Sequence, residues 1–173
     1  MSASEIDRTL VRLAHEILER TTGVAQLALI GIQRRGVPLA TRLARKIEEL
    51  EHRAIPVGQV DIQQYRDDLS EVAPQPVVNS ADIPFPLDGK DVILVDDVLH
   101  TGRTVRAALD ALFDFGRPAR VQLLVLIDRG HRELPIEARY VGRVVATQAG
   151  DNIDVQFQEI DGVEKVVLAG RDG

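Results

Sequence analysis

The chain of 173 residues contains no cysteine. That excludes a disulfide framework, thiolate zinc or iron–sulfur ligation and a cysteine nucleophile, and it suits a reducing compartment. No apolar run approaches the roughly 18 to 20 residues that span a bilayer. The first residues, Met1-Ser-Ala-Ser-Glu-Ile-Asp-Arg-Thr9, show no basic region followed by an apolar stretch, so neither secretion nor membrane insertion is expected and the expected location is cytoplasmic. Excess basic charge is also lacking. Lys and Arg total 21 against 27 Asp and Glu, a formal net charge of −6, which argues against nucleic-acid binding driven by overall charge but not against a local basic face. Repeats and low-complexity segments are missing too. What is present, 45% hydrophobic and 28% charged residues, is the composition of one globular domain, taken as residues 1–173.

Apolar residues Ile6, Leu10, Leu13, Ala14, Ile17 and Leu18 recur at helical spacing, and Ser2 or Ser4 upstream offers capping chemistry, so a helix is predicted over residues 4–21. Gly23 ends it. Leu27-Ala-Leu-Ile30 reads as a strand buried on both faces, followed by a helix with Pro38 in its first turn and Leu39, Leu43, Ile47 and Leu50 along one stripe. Val57–Ile62 is a candidate strand, and residues 63–90 carry four prolines with no sustained periodicity. Val92-Ile-Leu-Val95 is the clearest buried strand, leading into a helix that bears Val105, Ala108, Leu109 and Leu112 and stops at Gly116 and Pro118. Val121–Ile127 is another strand. Two alternating runs, Ile153–Ile160 and Val163–Leu168, joined by Asp161-Gly162, predict a hairpin over about 153–168. Strands alternating with helices predict an α/β fold with a mostly parallel sheet flanked by helices.

Open sheets of this kind bind ligands at the carboxyl ends of their strands, which singles out three segments. After the clearest buried strand stand Asp96, Asp97, Val98, Leu99, His100, Thr101, Gly102, Arg103 and Thr104. Unpaired N–H groups at the following helix start, with the Thr101 and Thr104 hydroxyls, suit a phosphate. The paired carboxylates of Asp96 and Asp97 suit a vicinal diol such as that of ribose. An isolated Asp-Asp pair is equally at home simply ending a strand. After the first strand comes Gly31-Ile-Gln-Arg-Arg-Gly36, spaced like a P-loop but with Val37 and Pro38 where Lys and Ser or Thr are required. Arg34 and Arg35 there suit a pyrophosphate or are simply solvated. The third segment, Asp128-Arg-Gly-His-Arg-Glu-Leu-Pro-Ile136, follows another buried strand and is rich in donors and acceptors.

The string Val92–Thr104 as a whole resembles the signature of type I phosphoribosyltransferases. Together with Leu13-Ala-His-Glu-Ile17, Tyr65-Arg-Asp-Asp-Leu69 and Asp128–Ile136, it resembles the pyrimidine operon regulator/uracil phosphoribosyltransferase family, PyrR, over nearly the whole chain. The resemblance implies a type I phosphoribosyltransferase fold with a lid loop at about 61–90, a hood at about 128–150 and the C-terminal hairpin. It implies that Asp96 and Asp97 hold the ribose hydroxyls of phosphoribosyl pyrophosphate, that His100 through Thr104 surround the 5-phosphate with Val98 and Leu99 before them also in the substrate site, and that Arg35, beside Arg34, contacts pyrophosphate. Tyr65, Arg66 and Asp67 would belong to the lid, and Asp128 and Arg129 to the part of the hood that recognises uracil, largely through backbone groups. Mg²⁺ would travel with the pyrophosphate as a hard cation with oxygen ligands, with no metal ligands assigned to the chain itself. His100 is expected to pack or stack and not to transfer a proton.

The same resemblance implies a second activity, binding of an mRNA leader stem-loop favoured by uridine nucleotides (UMP or UTP), through Arg12, His15, Arg34, His131, Arg132 and Arg143. Arg12 also stands four residues from Glu16, so an ordinary ion pair on an exposed helix face is the competing reading. Gln33 and Glu137 replace the Lys and Arg that relatives often carry, which removes two basic charges and reverses one. Gln63 and Gln64 depart from the common lid sequence. Three functional readings follow: a UMP-responsive attenuation regulator that also makes UMP from uracil, a uracil salvage enzyme without RNA binding, and a nucleotide sensor without meaningful catalysis. A homodimer or higher homo-oligomer is expected by resemblance.

Overall fold

The computed structural model describes residues 1–62 and 81–170. The expected lid residues Tyr65, Arg66 and Asp67, with Gln63 and Gln64, lie outside the described residues. The elements run α1 (Ala3–Arg20), β1 (Leu27–Ile32), α2 (Gly36–Glu51), β2 (Val57–Val60), β3 (Asp91–Leu99), α3 (Arg103–Phe113), β4 (Arg120–Asp128), β5 (Tyr140–Val144), β6 (Asn152–Gln156), α4 (Gln158–Asp161) and β7 (Lys165–Ala169). Strands β2-β1-β3-β4-β5 form one sheet in that order, every pair parallel, and β6 and β7 pair antiparallel.

The central strands are apolar at successive positions because both faces of the sheet are covered, and their side chains alternate between two cores. Leu27, Leu29, Ile93, Val95, Leu124 and Leu126 point to one face, where the stripe Ile6, Leu10, Leu13, Ala14 and Ile17 of α1 and Leu39, Leu43 and Ile47 of α2 meet them. Ile30, Ile32, Val92, Leu94, Leu123 and Val125 point to the other, under Val105, Ala108 and Leu112 of α3. Ser2 caps α1 through a reciprocal capping box with Glu5. Helix α2 ends at His52 in the left-handed region, whose N–H donates to the Glu48 carbonyl.

Three features depart from the sequence reading. Strand β3 continues through Asp96 and Asp97 to Leu99, because β4 supplies a pairing partner as far as Asp128. Strand β5 lies within the expected hood, where the sequence gives no strand signal, since only Tyr140 of its five residues is buried and the alternation is too short to stand out. The C-terminal hairpin forms, but its connection is longer than an Asp-Gly turn. Phe157 is fully buried, and the Asp161 carboxylate accepts the Phe157 N–H at 2.8 Å, winding the connection into α4 before Gly162 closes it.

Arg42 of α2 fastens this connection. Its Nε and Nη2 donate to Glu159 at 2.8 and 2.6 Å, Nη1 lies 2.5 Å from Glu164, and the guanidinium sits 5.2 Å from the Phe157 ring centroid. Arg42 holds its proton more tightly than usual, chiefly through Glu159 and against the effect of burial. The assembly is half-exposed, so its worth falls between a surface pair and a buried one. Arg42→Ala is expected to cost about 2 kcal/mol and so lower Tm by about 4–8 °C, read in a thermal melt.

Candidate active site

The parallel register brings the three segments to one edge. Gly31 pairs with Val95, and Leu99 with Asp128, so the carboxyl ends of β1, β3 and β4 lie side by side and each opens into a loop. The turn Gln33-Arg34-Arg35 leaves β1 for α2, residues His100–Gly102 leave β3 for α3, and Arg129 onward leaves β4.

The first turn lies against β3. A Cβ on Gly36 would come 2.2 Å from the Val95 carbonyl oxygen and 3.3 Å from the Asp96 Cα, a distance at which only glycine fits. The arginine turn is thus held beside the acidic pair. The peptide bond between Gln33 and Arg34 is cis. Arg34 is exposed, whereas Arg35 is half-buried and its Nη2 donates to Asp161 of α4 at 2.8 Å. The Arg35 Nε is buried with no hydrogen-bond partner among the described residues. The Asp161 carboxyl is held below the usual aspartate range, first by the Phe157 N–H and then by Arg35 and the nearby Arg34. Asp161 reads in the sequence as a turn residue, and only the fold of the tail places it on Arg35.

Asp96 is 6% exposed and its Oδ1 accepts the Asp97 N–H at 2.9 Å, while Asp97 Oδ1 accepts the Val98 N–H at 2.8 Å. Each carboxylate is oriented by the backbone that follows it. Gly102 opens α3 at φ +93°, a conformation that favours glycine, and contributes no side-chain cap. The first-turn N–H groups of α3 therefore receive no side-chain cap from that position, an arrangement suited to an anion. Thr101 Oγ1 lies 3.3 Å from the Arg103 N.

The loop after β4 is laid across the loop after β3. Arg129 N–H donates to the Leu99 carbonyl at 3.1 Å, and the Glu133 and Leu134 N–H groups both donate to the Thr101 carbonyl, at 2.9 and 3.1 Å. Arg103 Nε reaches Glu133 at 2.7 Å. Arg129 is 7% exposed, with Nη2 on the Asp151 carbonyl at 2.8 Å. Burial alone would raise the Asp128 carboxyl, but the Arg132 guanidinium and the Gly130 N–H outweigh it and lower it. His100 and His131 meet edge to face, centroids 6.1 Å apart. The His100 pKa is lowered, first by burial and then by the positive charges of Arg129, His131 and Arg132, with the Glu133 carboxylate opposing.

The residues read as RNA contacts fall in two places. His131 and Arg132 stand at this edge. Helix α1 runs antiparallel to β5, with Arg143 3.5 Å from Glu5 and the Arg12 Nη2 donating to the Gly142 carbonyl at 2.6 Å. Arg12 also pairs with Glu16, as the four-residue spacing allows. A groove of about 280 Å³ is lined by Glu5, Arg8, Thr9, Arg12 and Arg143. Arg8 is a member that the sequence does not single out, since there it reads as one exposed helix charge among several. His15 is exposed on the same helix.

This fold and edge define a phosphoribosyltransferase, and the phosphoribosyl transferase domain family matches residues 2–159. Among solved structures, a hypoxanthine phosphoribosyltransferase from Trypanosoma cruzi in a ternary substrates complex superposes with a TM-score of 0.76 at 20% identity, covering 99% of this chain and 94% of that one. A hypoxanthine-guanine phosphoribosyltransferase from Bacillus anthracis gives 0.68 at 20% identity, over 86% and 82%. The proteins named bifunctional protein PyrR are much more similar in sequence. That of Pelotomaculum thermopropionicum is 60% identical, covering 94% of this chain and 90% of its own length. Those of Deinococcus deserti, at 58% over 97% and 92%, and Thermus thermophilus, at 54% over 100% and 96%, agree with it. The chain belongs to the PyrR family.

Two expectations test this geometry. Asp97→Asn removes a charged acceptor where the resemblance expects the ribose and is expected to raise the KM for phosphoribosyl pyrophosphate about tenfold with Tm little changed; unchanged steady-state kinetics would remove Asp97 from the site. His100 binds its proton less readily folded than unfolded, so the stability it contributes is complete above its ordinary pKa of 6.5 and is lost as pH falls through that range. His100→Phe is expected to relieve part of that acid-side loss in urea titrations and to keep kcat within about threefold with no ionisation near neutrality removed.

Proposed function

We propose that the chain converts uracil and phosphoribosyl pyrophosphate to UMP and pyrophosphate, and that it binds a pyrimidine-operon leader stem-loop more tightly when UMP is bound. The observation that carries the first part is the juxtaposition of the Asp96–Asp97 pair, the Gly102–Thr104 helix start and the Arg34–Arg35 turn at one sheet edge. In this reading Asp96 and Asp97 accept hydrogen bonds from the ribose hydroxyls and the start of α3 receives the 5-phosphate. Arg35 and Arg34 meet the pyrophosphate as it departs. The C1–O bond to pyrophosphate breaks and a C1–N1 bond to uracil forms through an oxocarbenium-like state, so the protein contributes positioning and charge neutralisation. The pyrophosphate carries away the negative charge, and the proton of uracil N1 leaves to solvent or to pyrophosphate. The Arg129 N–H is held by Leu99, so contacts from this residue to the base fall to its carbonyl, which already accepts the Thr147 hydroxyl on one side.

Among the described residues no three His, Asp or Glu side chains converge as a metal cluster. Asp96 and Asp97 are hard oxygen donors at this edge, of the kind Mg²⁺ takes. When bound with the pyrophosphate, the ion would neutralise charge on the leaving group.

For RNA, the exposed Arg34 and His131 and the Arg8–Arg12–Arg143 groove supply basic groups on a chain of net charge −6. The ion pairs of Arg12 with Glu16 and Arg143 with Glu5 favour the second reading, a salvage enzyme whose arginines serve the fold. No helix among the described residues is long and apolar enough to cross a membrane. Assembly as a homodimer or larger homo-oligomer belongs to the same proposal, with sedimentation as its measure.

A panel of bases supplied with phosphoribosyl pyrophosphate and Mg²⁺ tests the enzyme: uracil should be preferred, and a preference for hypoxanthine or guanine would reject the substrate assignment. Titration of leader RNA across salt concentrations, beside a scrambled stem-loop, tests the regulator. Selective binding whose log–log salt slope is about −0.7 to −0.9 per phosphate contact is expected. Equal binding of the scrambled control would leave the salvage enzyme.

A further inference from the structure

Arg132 stands out among the basic residues of the site because each of its three guanidinium nitrogens is engaged inside the molecule. Nη2 donates to Asp128 Oδ2 at 2.6 Å, Nη1 to the His100 carbonyl at 3.0 Å and Nε to the Ile136 carbonyl at 2.8 Å. These acceptors lie at the end of β4, in the loop that leads to α3, and at the far end of the loop after β4. One planar cation therefore ties the phosphate-side loop to the base-side loop and closes the base-side loop on itself. The side chain is only 23% exposed. Its neighbour His131 is the reverse case, exposed and at φ +60°, with its ring on the Thr147 carbonyl.

We propose that Arg132 is a positioning residue for the transferase reaction and for UMP binding, acting through the backbone of His100 and the carboxylate of Asp128. This rests on the reading of the edge as the nucleotide site. The guanidinium fork matches three divergent acceptors that a lysine ammonium cannot reach together. Its removal would take a donor from a half-buried carbonyl and from the half-buried Asp128 carboxylate, which would keep only the Gly130 N–H, and the two loops would lose their registration. Substrate and nucleotide binding then suffer more than the chemical step, because the loops must be ordered by the ligand instead of beforehand.

The test compares Arg132→Gln and Arg132→Lys with the wild-type protein, using calorimetric titration of UMP without RNA and steady-state kinetics in phosphoribosyl pyrophosphate. Both variants are expected to bind UMP about tenfold or more weakly and to raise KM similarly, with kcat at saturation within about threefold. Should the Gln variant be unfolded by circular dichroism, the Lys variant, which keeps the charge and the apolar stem, carries the same expectation, and an unfolded Lys variant would overturn the role. UMP affinity and KM within about twofold of wild type in a folded variant would overturn it, as would full recovery by lysine. Wild-type protein that does not bind UMP would overturn the proposed function and this role together, whereas failure in the variants alone overturns only the role.

Discussion

The site depends on parallel pairing. Because β1, β3 and β4 run side by side in the same direction, with Gly31 opposite Val95 and Leu99 opposite Asp128, their carboxyl ends reach one edge and each must turn outward there. Three loops far apart in sequence become neighbours without any one of them folding alone. A one-residue slip in β3 would exchange the faces of Ile93 and Val95 with those of Val92 and Leu94, so the apolar alternation that fills two cores also holds the acidic pair in place.

The loops then constrain one another. Gly36 brings the arginine turn against Val95, the loop after β4 donates two N–H groups to the Thr101 carbonyl, and Arg132 joins that loop to the one after β3. Such a site is ordered before its ligand arrives, which is what catalysis by positioning requires. The tail contributes as well. Arg42 holds α4 against α2, and α4 presents Asp161 to Arg35, so the C-terminal hairpin is structurally continuous with the arginine turn. A guanidinium held by one carboxylate is oriented, and its Nε stays buried beside the loop.

Much of this is legible in the sequence because it rests on local signals. Continuous apolar runs identify doubly covered strands, and Gly, Asp and Thr clusters after them identify the loops that meet at the carboxyl edge of the sheet. The α1 stripe and the i,i+4 pair of Arg12 and Glu16 are readable for the same reason. What is not readable depends on partners distant in sequence. Strand β3 extends past the acidic pair because β4 is there to pair with it, β5 is an edge strand with one buried side chain, and the hairpin connection coils because Phe157 is buried far from its neighbours. Arg132 shows the difference most clearly. In the sequence it is read, by resemblance, only as an RNA contact, and its three acceptors span residues 100 to 136.

The central claim is that the three loops form one nucleotide site. Amide hydrogen exchange, measured with and without UMP, tests it most directly, since exchange reports local opening segment by segment. With UMP bound, protection should rise together in residues 33–36, 97–104 and 128–136. Protection confined to one of these segments, or found only on α1 and β5, would contradict it.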